Sequence, residues 1–493
     1  MSLDSTLLIA SSGLDAINRQ LAVVSQNVAN AGTPGYVREA APLDAVDAGG
    51  VAMGVRAGPA RRDLDAQLQA AVFAATSASS YASTRQAALS AVDQVAGSTG
   101  SANSVADMLG ALQDRLSALE ASPGDQTVQR EVVLQAQRLA GAVNQLGQAG
   151  AAQRQGAQDA TVIEVGQLNA ALRQVGQLST RIVQAHALGQ GTADLEQSRD
   201  AQIAAAAKLT GVRFAEQPNG GMQAILGGLV LPLDASTGDT FQVGPALLAP
   251  GTPASAVPGI TIGGQDVTAQ FRGSGSIGAH LQLRDQAMPQ MQAELDEFAH
   301  ALASRFDAQG LRLFTDGAGT VPPGGGTPAQ SGYVGMAQTL QVNPAVSASP
   351  ALVQQGTTGA ATPSGSTALL QKLLTFALGA TSAPGTAQPP PATSGLGASG
   401  TIQARFAPPS TLADFATALG SAQAQDLSAA ASSADSEAAT ATAMQGKLSA
   451  ASGVSMDTEL SHMIALQNAY GANARVISAA QSMWDSLLGA VKP

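Results

Sequence analysis

Few residues in this chain are spaced for chemistry. Gly273-x-Gly275-x-x-Gly278 is followed about twenty residues later by Glu294, the order of a dinucleotide fingerprint. There, glycines let backbone approach a pyrophosphate and the acid takes a ribose hydroxyl. No strand–helix–strand alternation surrounds the motif, and a Gly/Ser turn before a helix is common in a chain with 54 glycines. Glu294, Asp296 and Glu297 form an acidic cluster. Glu294 and Glu297, three apart on a helix, could approach each other as a carboxylate pair; the plainer reading is a solvated face beside an apolar stripe. His186, His280, His300 and His462 are scattered, without a metal-ligand spacing such as H-E-x-x-H. With no cysteine there is no disulfide, thiolate metal site or cysteine nucleophile. No nucleophile, base and orienter come together, so the chain reads as non-enzymatic, with no cofactor and no metal.

The elements carry more information than these residues. Near the N-terminus, Leu3, Leu7, Ala10, Leu14, Ile17, Leu21, Val24 and Val28 alternate steps of four and three. Near the C-terminus, Met456, Leu460, Met463, Gln467, Tyr470, Ala474, Ile477, Gln481, Trp484, Leu488 and Val491 keep the same beat. A repeat averaging 3.5 residues puts these side chains on one narrow helical seam, the coiled-coil pattern. Two such helices are built to pair with each other or with copies in other subunits. Alone in water such helices are marginal, so they are expected to be largely disordered in the monomer and to fold against neighbours on assembly. Tyr470 and Trp484 then pack a core between molecules. The first helix stops at Ala31-Gly32-Thr33-Pro34-Gly35.

Composition narrows the class. The chain has 493 residues, enough for two or more domains. Its net charge of −11 argues against a nucleic-acid binder or a polybasic membrane anchor. Aromatics are 3% and charged residues 12%, which points to Ala/Leu/Val cores and a surface of Gln, Ser, Thr and Asn. No run of roughly 18 apolar residues could span a bilayer. The first basic residue is Arg19, so the N-terminus lacks the positive region of a signal peptide. Ordinary rules place such a chain in the cytoplasm; a dedicated export machine would escape them.

The expected fold is mainly α with a β-rich insertion, α+β and multidomain. Residues 1–64 and 441–493 form a terminal coiled-coil region with paired end helices, 36–64 being a hairpin or irregular strands. Residues 65–308 and 410–440 form a helical middle domain with a β segment near 211–272. Val105, Leu109, Leu112, Leu116 and Leu119 share one face, and Asp125 is a candidate N-cap. A helix over 277–306 should be kinked or divided by Pro289. Residues 309–409, rich in Gly and Pro, form a small outer β insertion.

The run Asn27-Val-Ala-Asn30-Ala-Gly-Thr33-Pro34-Gly35-Tyr36 resembles the N-terminal signature of the flagellar axial proteins, the rod, hook and hook-associated family. Leu460-Ser-His-Met-Ile-Ala-Leu-Gln-Asn-Ala-Tyr470-Gly-Ala-Asn473-Ala-Arg475 resembles their C-terminal signature. Within the family, Asp194–Asp200 followed by Val212-Arg-Phe, Gly273–Leu281 and Ser452–Asp457 are similar to segments of the hook-associated branch. The resemblance covers most of 1–310 and 400–493 and fades in 311–400. It implies a structural protein at the hook–filament junction, exported through the flagellar type III channel without a cleaved signal peptide. Implied partners are the hook protein, a second junction protein on the filament side, copies of the chain itself and an export chaperone at the C-terminal helix. Asn27, Asn30, Thr33, Pro34, Gly35 and Tyr36 would add contacts to a neighbouring subunit. A hook or distal-rod protein is the alternative within the family, and residues 65–209 count against it because the hook member is mostly β between its end helices.

Overall fold

The computed structural model describes residues 3–33, 35–48, 51–97, 104–233, 239–324 and 326–491. Pro34 lies outside the described residues. In chain order the helices are α1 (Leu3–Asn30), α2 (Ala66–Ala96), α3 (Val105–Ala121), α4 (Gln126–Ala187), α5 (Ala193–Leu209), α6 (Gly275–Gln282) and α7 (Met288–Ala308). Five short helices follow: α8 (Pro328–Ser331), α9 (Met336–Thr339), α10 (Pro344–Ala348), α11 (Leu352–Gln355) and α12 (Ala368–Lys372). The long α13 (Leu412–Ser452) and α14 (Met456–Val491) end the chain. The strands are short: β1 (Glu39–Ala40), β2 (Leu43–Ala48), β3 (Val51–Ala57), β4 (Arg61–Arg62), β5 (Arg213–Glu216), β6 (Met222–Leu226), β7 (Leu229–Leu231), β8 (Thr261–Ile262), β9 (Gln265–Asp266), β10 (Phe314–Thr315), β11 (Gln341–Val342), β12 (Thr381–Ala383) and β13 (Thr386–Ala387). The fold is mainly α; among the described residues there is one three-stranded antiparallel sheet, β5-β6-β7, with two-stranded ladders elsewhere.

Contacts divide the chain into two compact units. Unit 1 comprises Met1–Ser79, Gly166–Thr240 and Glu437–Pro493. Unit 2 comprises Ser80–Val165 and Phe241–Ser436. The β segment near 211–272 is therefore shared: β5, β6 and β7 belong to unit 1, and β8 and β9 to unit 2.

In unit 1, α1 lies along α14 and along the β2–β3 hairpin. The hairpin approaches closely because Gly54 has no side chain. A Cβ there would sit 2.1 Å from Ser12 Oγ, and the Val55 N–H donates to that hydroxyl at 3.2 Å. Arg199, buried on α5, reaches the sheet turn through Gly220 O (2.9 Å) and Glu216 (2.9 Å).

In unit 2, the face expected on α3 is the one that packs: Leu109, Leu112, Leu116 and Leu119 are buried. Asp125 accepts from the Thr127 N–H at 2.7 Å and opens α4 as expected. Pro289 sits in the first turn of α7 but follows helical backbone, so its missing N–H deprives the preceding turn of a donor; Arg284 O accepts instead from Arg154 Nε at 3.0 Å. The helix is divided just before Pro289 by a π-turn, Leu283–Ala287, in which the Met288 N–H bonds to Leu283 O. Gly150 lets α7 close on α4, since a Cβ would stand 2.2 Å from Met291 Cε. Phe298 meets Phe415 edge-on at 5.4 Å, and Phe306 meets Phe314 at 5.6 Å.

The acidic cluster on α7 differs from expectation. Glu294, Asp296 and Glu297 are buried, not solvated. Residues 309–409 have little regular structure, so their buried N–H groups need acceptors from outside the segment. Asp296 accepts from Gly335 N (2.7 Å) and Ala337 N (2.9 Å). Glu297 accepts from the Tyr333 hydroxyl (2.8 Å) and Ala392 N (2.8 Å). Glu294 takes the Arg405 guanidinium and Arg405 N (2.9 Å). The three acids serve three separate anchors, so no carboxylate pair forms. Burial pushes the Asp296 carboxyl up to about 7, against the hydrogen bonds from Gly335 and Ala337 that favour its ionised form. Pinned this way, residues 309–409 place Leu311, Tyr333, Leu340, Val353 and Leu370 in the unit 2 core. Among the described residues their β structure is limited to β10–β11, β12–β13 and an isolated antiparallel bridge between Leu396 and Ile402.

The three glycines of the dinucleotide-like motif each have a backbone reason. Gly273 and Gly275 have φ of +80° and +64°. A Cβ on Gly278 would lie 2.3 Å from Phe271 O. The segment before the motif, Thr268–Phe271, is a 3-10 turn rather than a strand. Gly278→Ala is accordingly expected to lower stability by about 1–3 kcal/mol, read as a shifted denaturant midpoint with no nucleotide present. An unchanged midpoint would remove this structural account.

Candidate assembly site

The site begins with how α1 ends. Asn30 Nδ2 donates to Gln26 O at 3.0 Å, and the Thr33 hydroxyl donates to Asn30 Oδ1 at 3.3 Å, closing the last turn. Gly35, at φ +78°, reverses the chain, and its carbonyl accepts from Gln197 of α5 at 2.8 Å. Tyr36 then folds back so that its hydroxyl donates to Asn27 Oδ1 at 3.1 Å. Asn27 is fully buried and saturated: Oδ1 also accepts from Glu39 N (3.0 Å), and Nδ2 donates to Glu39 O (2.9 Å) and Glu459 Oε2 (3.1 Å).

Glu459 is the hinge of this network. It lies in the first turn of α14, fully buried, and Arg38 Nε donates to its Oε1 at 2.7 Å. Arg38 N also donates to Ser452 O at 2.9 Å, and Ser452 Oγ accepts from Asp65 N at 3.1 Å. One cluster thus joins the end of α1, the start of α14 and the turn between α13 and α14. Beside it, Arg62 bonds Asp200 of α5 at 2.5 Å.

Further along, Gly13 lies against Asn473, where a Cβ would meet Asn473 Nδ2 at 3.2 Å. Near the start of α1, Leu7 and Ser11 line a hollow with Ile477. The helices therefore run antiparallel in one register. Asn27 and Gly13 are 14 residues apart, as are Glu459 and Asn473, which is two heptads on each helix.

The seam residues are placed as follows. On α1, Ile17 and Val24 are buried, and Leu7, Leu14, Leu21 and Val28 half-buried; Leu3 opens the helix. On α14, Met463, Ala474 and Ile477 are half-buried. Met456, Leu460, Tyr470, Trp484 and Leu488 are exposed, as are Ile464, Met483 and Leu487. Among the described residues, Ala480 is the last buried one of α14. The structure therefore brings Asn27, Asn30, Thr33, Gly35 and Tyr36 into one cluster and leaves the larger C-terminal apolar residues on the surface. Arg38 and Glu459 were missed by sequence reading. With Asp457 beside it in the first turn, Glu459 looks like an ordinary helix-dipole charge, and nothing local marks it as buried.

Electrostatics follow from the burial. Burial, then the charges of Glu39, Asp194 and Glu459, push the Tyr36 phenol up to about 12. The Glu39 carboxyl is raised by burial and by Asp194. The guanidinium of Arg38 is held above its ordinary value by the Glu459 bond.

The family described as flagellar hook-associated protein FlgK helical domain matches residues 67–318. A flagellar basal body rod FlgEFG C-terminal family matches 444–490, and a flagella basal body rod family matches 7–36. Flagellar hook-associated protein 1 of Salmonella typhimurium is 25% identical over 307 residues, 61% of this chain and 55% of the relative. The Salmonella typhi protein of that name has the same figures. The chain spans about half the length of these curated relatives. The solved structure of the flagellar hook junction protein FlgK from Burkholderia pseudomallei aligns with 51% of this chain and 45% of its own, at 23% identity and a TM-score of 0.39.

Two outcomes are expected of this cluster. Arg38→Ala leaves the buried Glu459 carboxylate without its cation and should cost about 3 kcal/mol, measured by denaturant unfolding of the full chain; a loss under about 0.5 kcal/mol would mean that the pair is an ordinary surface bridge. Tyr36 supplies the second. Its raised pKa contributes stability that is complete below the ordinary phenol value of 10.0 and is lost as pH rises towards about 12. Thermal melts should fall across that window, less steeply in Tyr36→Phe.

Proposed function

The chain belongs to the FlgK family of flagellar hook-associated proteins, and from that membership we propose that it is a structural, non-enzymatic component of the bacterial flagellum at the junction of hook and filament. The observation that supports this most is the antiparallel α1–α14 pair, locked by Asn27, Arg38 and Glu459 while Met456, Leu460, Tyr470, Trp484 and Leu488 stay exposed. Exposed large apolar side chains on a long helix favour burial against another surface. Copies of the chain packed side by side would bury them in a helical layer. One face of that layer would meet the hook protein and the other the second junction protein on the filament side. Before assembly the same α14 residues would be the target of an export chaperone, and the chain would reach the extracellular flagellum by the type III route. The FlgK helical-domain match over 67–318 favours the junction over a hook or distal-rod position.

The test is electron microscopy of the source bacterium with this gene deleted, with flagellin assayed in the medium. Complete hooks without filaments, and leaked flagellin, are expected; missing hooks or normal flagella would overturn the reading. Complementation with Leu460→Ser/Leu488→Ser should not restore filaments. In the purified chain these surface changes should alter stability by no more than about 0.5 kcal/mol, so failure reports lost contacts between molecules rather than unfolding.

A further inference from the structure

Three arginines are buried among the described residues of unit 2: Arg154, Arg284 and Arg305. Two are fully engaged. Arg284 binds Asp285 (2.7 and 2.9 Å), Gln158 (2.7 Å) and Pro258 O (3.2 Å). Arg154 donates from all three nitrogens, to Arg284 O, Ala249 O and Thr252 O. Arg305 is only 7% exposed and shows one hydrogen bond, Nη1 to Ser410 O at 3.2 Å, and no ion pair among the described residues. Its pKa is lowered by burial alone, with no neighbouring carboxylate offsetting that effect. A guanidinium carries five N–H donors, and the unbonded nitrogens of Arg305 keep contact with solvent, since none is among the buried side-chain atoms left without a partner.

Arg305 lines a cleft of about 590 Å³, within the range of small-molecule sites. On α7 its neighbours in the cleft are Ala301, Ser304 and Ala308, and Pro389-Pro390-Pro391 also line it and supply apolar surface. The other groups of the lining are already committed. Glu297 uses both oxygens on Tyr333 and Ala392. His300 stacks on Tyr333 at 4.2 Å, its Nε2 3.1 Å from Pro322 O. The missing partner of Arg305 is thus an anion that enters with an apolar body. A guanidinium can hold either a carboxylate or a phosphate bidentately, and the Glu297 charge in the same lining repels a phosphate dianion more strongly than a monocarboxylate.

We propose that this cleft is a binding site for a small organic monocarboxylate, its carboxylate held by Arg305 and its apolar body against Pro389–Pro391. The site is independent of the assembly role and lies wholly in unit 2.

Benzoate is the probe, titrated into the full chain by saturation-transfer NMR, with benzamide as its neutral isostere and inorganic phosphate as a bare anion. Saturable benzoate binding is expected, with benzamide and Arg305→Gln each about tenfold weaker or more. Arg305→Gln removes an uncompensated buried charge and should keep its fold, checked by circular dichroism. Ala308→Trp, at an exposed position of the lining, should block benzoate without touching the guanidinium. No saturable benzoate signal, equal binding of benzamide, preferred binding of phosphate, or benzoate binding that survives both substitutions would each overturn the proposal.

Discussion

Buried backbone must be paired, and in this chain much of it lies outside helices and sheets. With charged residues at only 12%, the helices meet that demand through individually placed long polar side chains. Asn27 holds both backbone groups of Glu39. Arg154 gathers three carbonyls, and Asp296 takes two N–H groups. Asn144, Gln155 and Gln158 do the same for Leu340, Ala246 and Gly244. Each bond adds only about 1 kcal/mol when made, but an unmade buried one costs more, so losing a single anchor exposes a whole segment to rearrangement.

This explains what could and could not be read from the sequence. Helical periodicity found α3 and its buried face because leucine spacing reports burial directly. Asp125, the Pro289 division and the hairpin after α1 follow from local chemistry and were legible for that reason. The acids of α7 were not. Glu294, Asp296 and Glu297 interrupt a helix buried on nearly every side, and their partners stand between 36 and 111 residues away in sequence. Charge alone reads as solvent; only the neighbours Ala293, Leu295, Phe298 and Ala299, buried around them, hinted otherwise. Arg38 and Glu459 escaped for the same reason at a separation of 421.

The terminal helices show the division most plainly. Two stripes at 3.5-residue spacing run along α14. One carries Glu459 and Asn473 and lies against α1. The other carries Met456, Leu460 and Tyr470, which are exposed, and Met463, Ala474 and Ile477, which are half-buried. Apolarity singles out the second stripe, although the first makes the pairing within the chain. A contact with α1 at Gly13 demands small or polar residues, because the helices approach too closely for large ones.

The two stripes therefore do different work. Apolar seams give attraction but tolerate sliding by a heptad, since every repeat resembles the next. A buried Asn–Glu contact cannot slide: displaced by one heptad, Glu459 would lose both Asn27 and Arg38 and remain buried without partners. The polar cluster thus specifies register at the expense of some stability, which is the best-attested use of such groups in paired helices. With register set inside the chain, the larger side chains of α14 are presented at fixed spacing. A surface held in fixed register can repeat identically from copy to copy, and that regularity is the condition a helical layer imposes on each of its subunits.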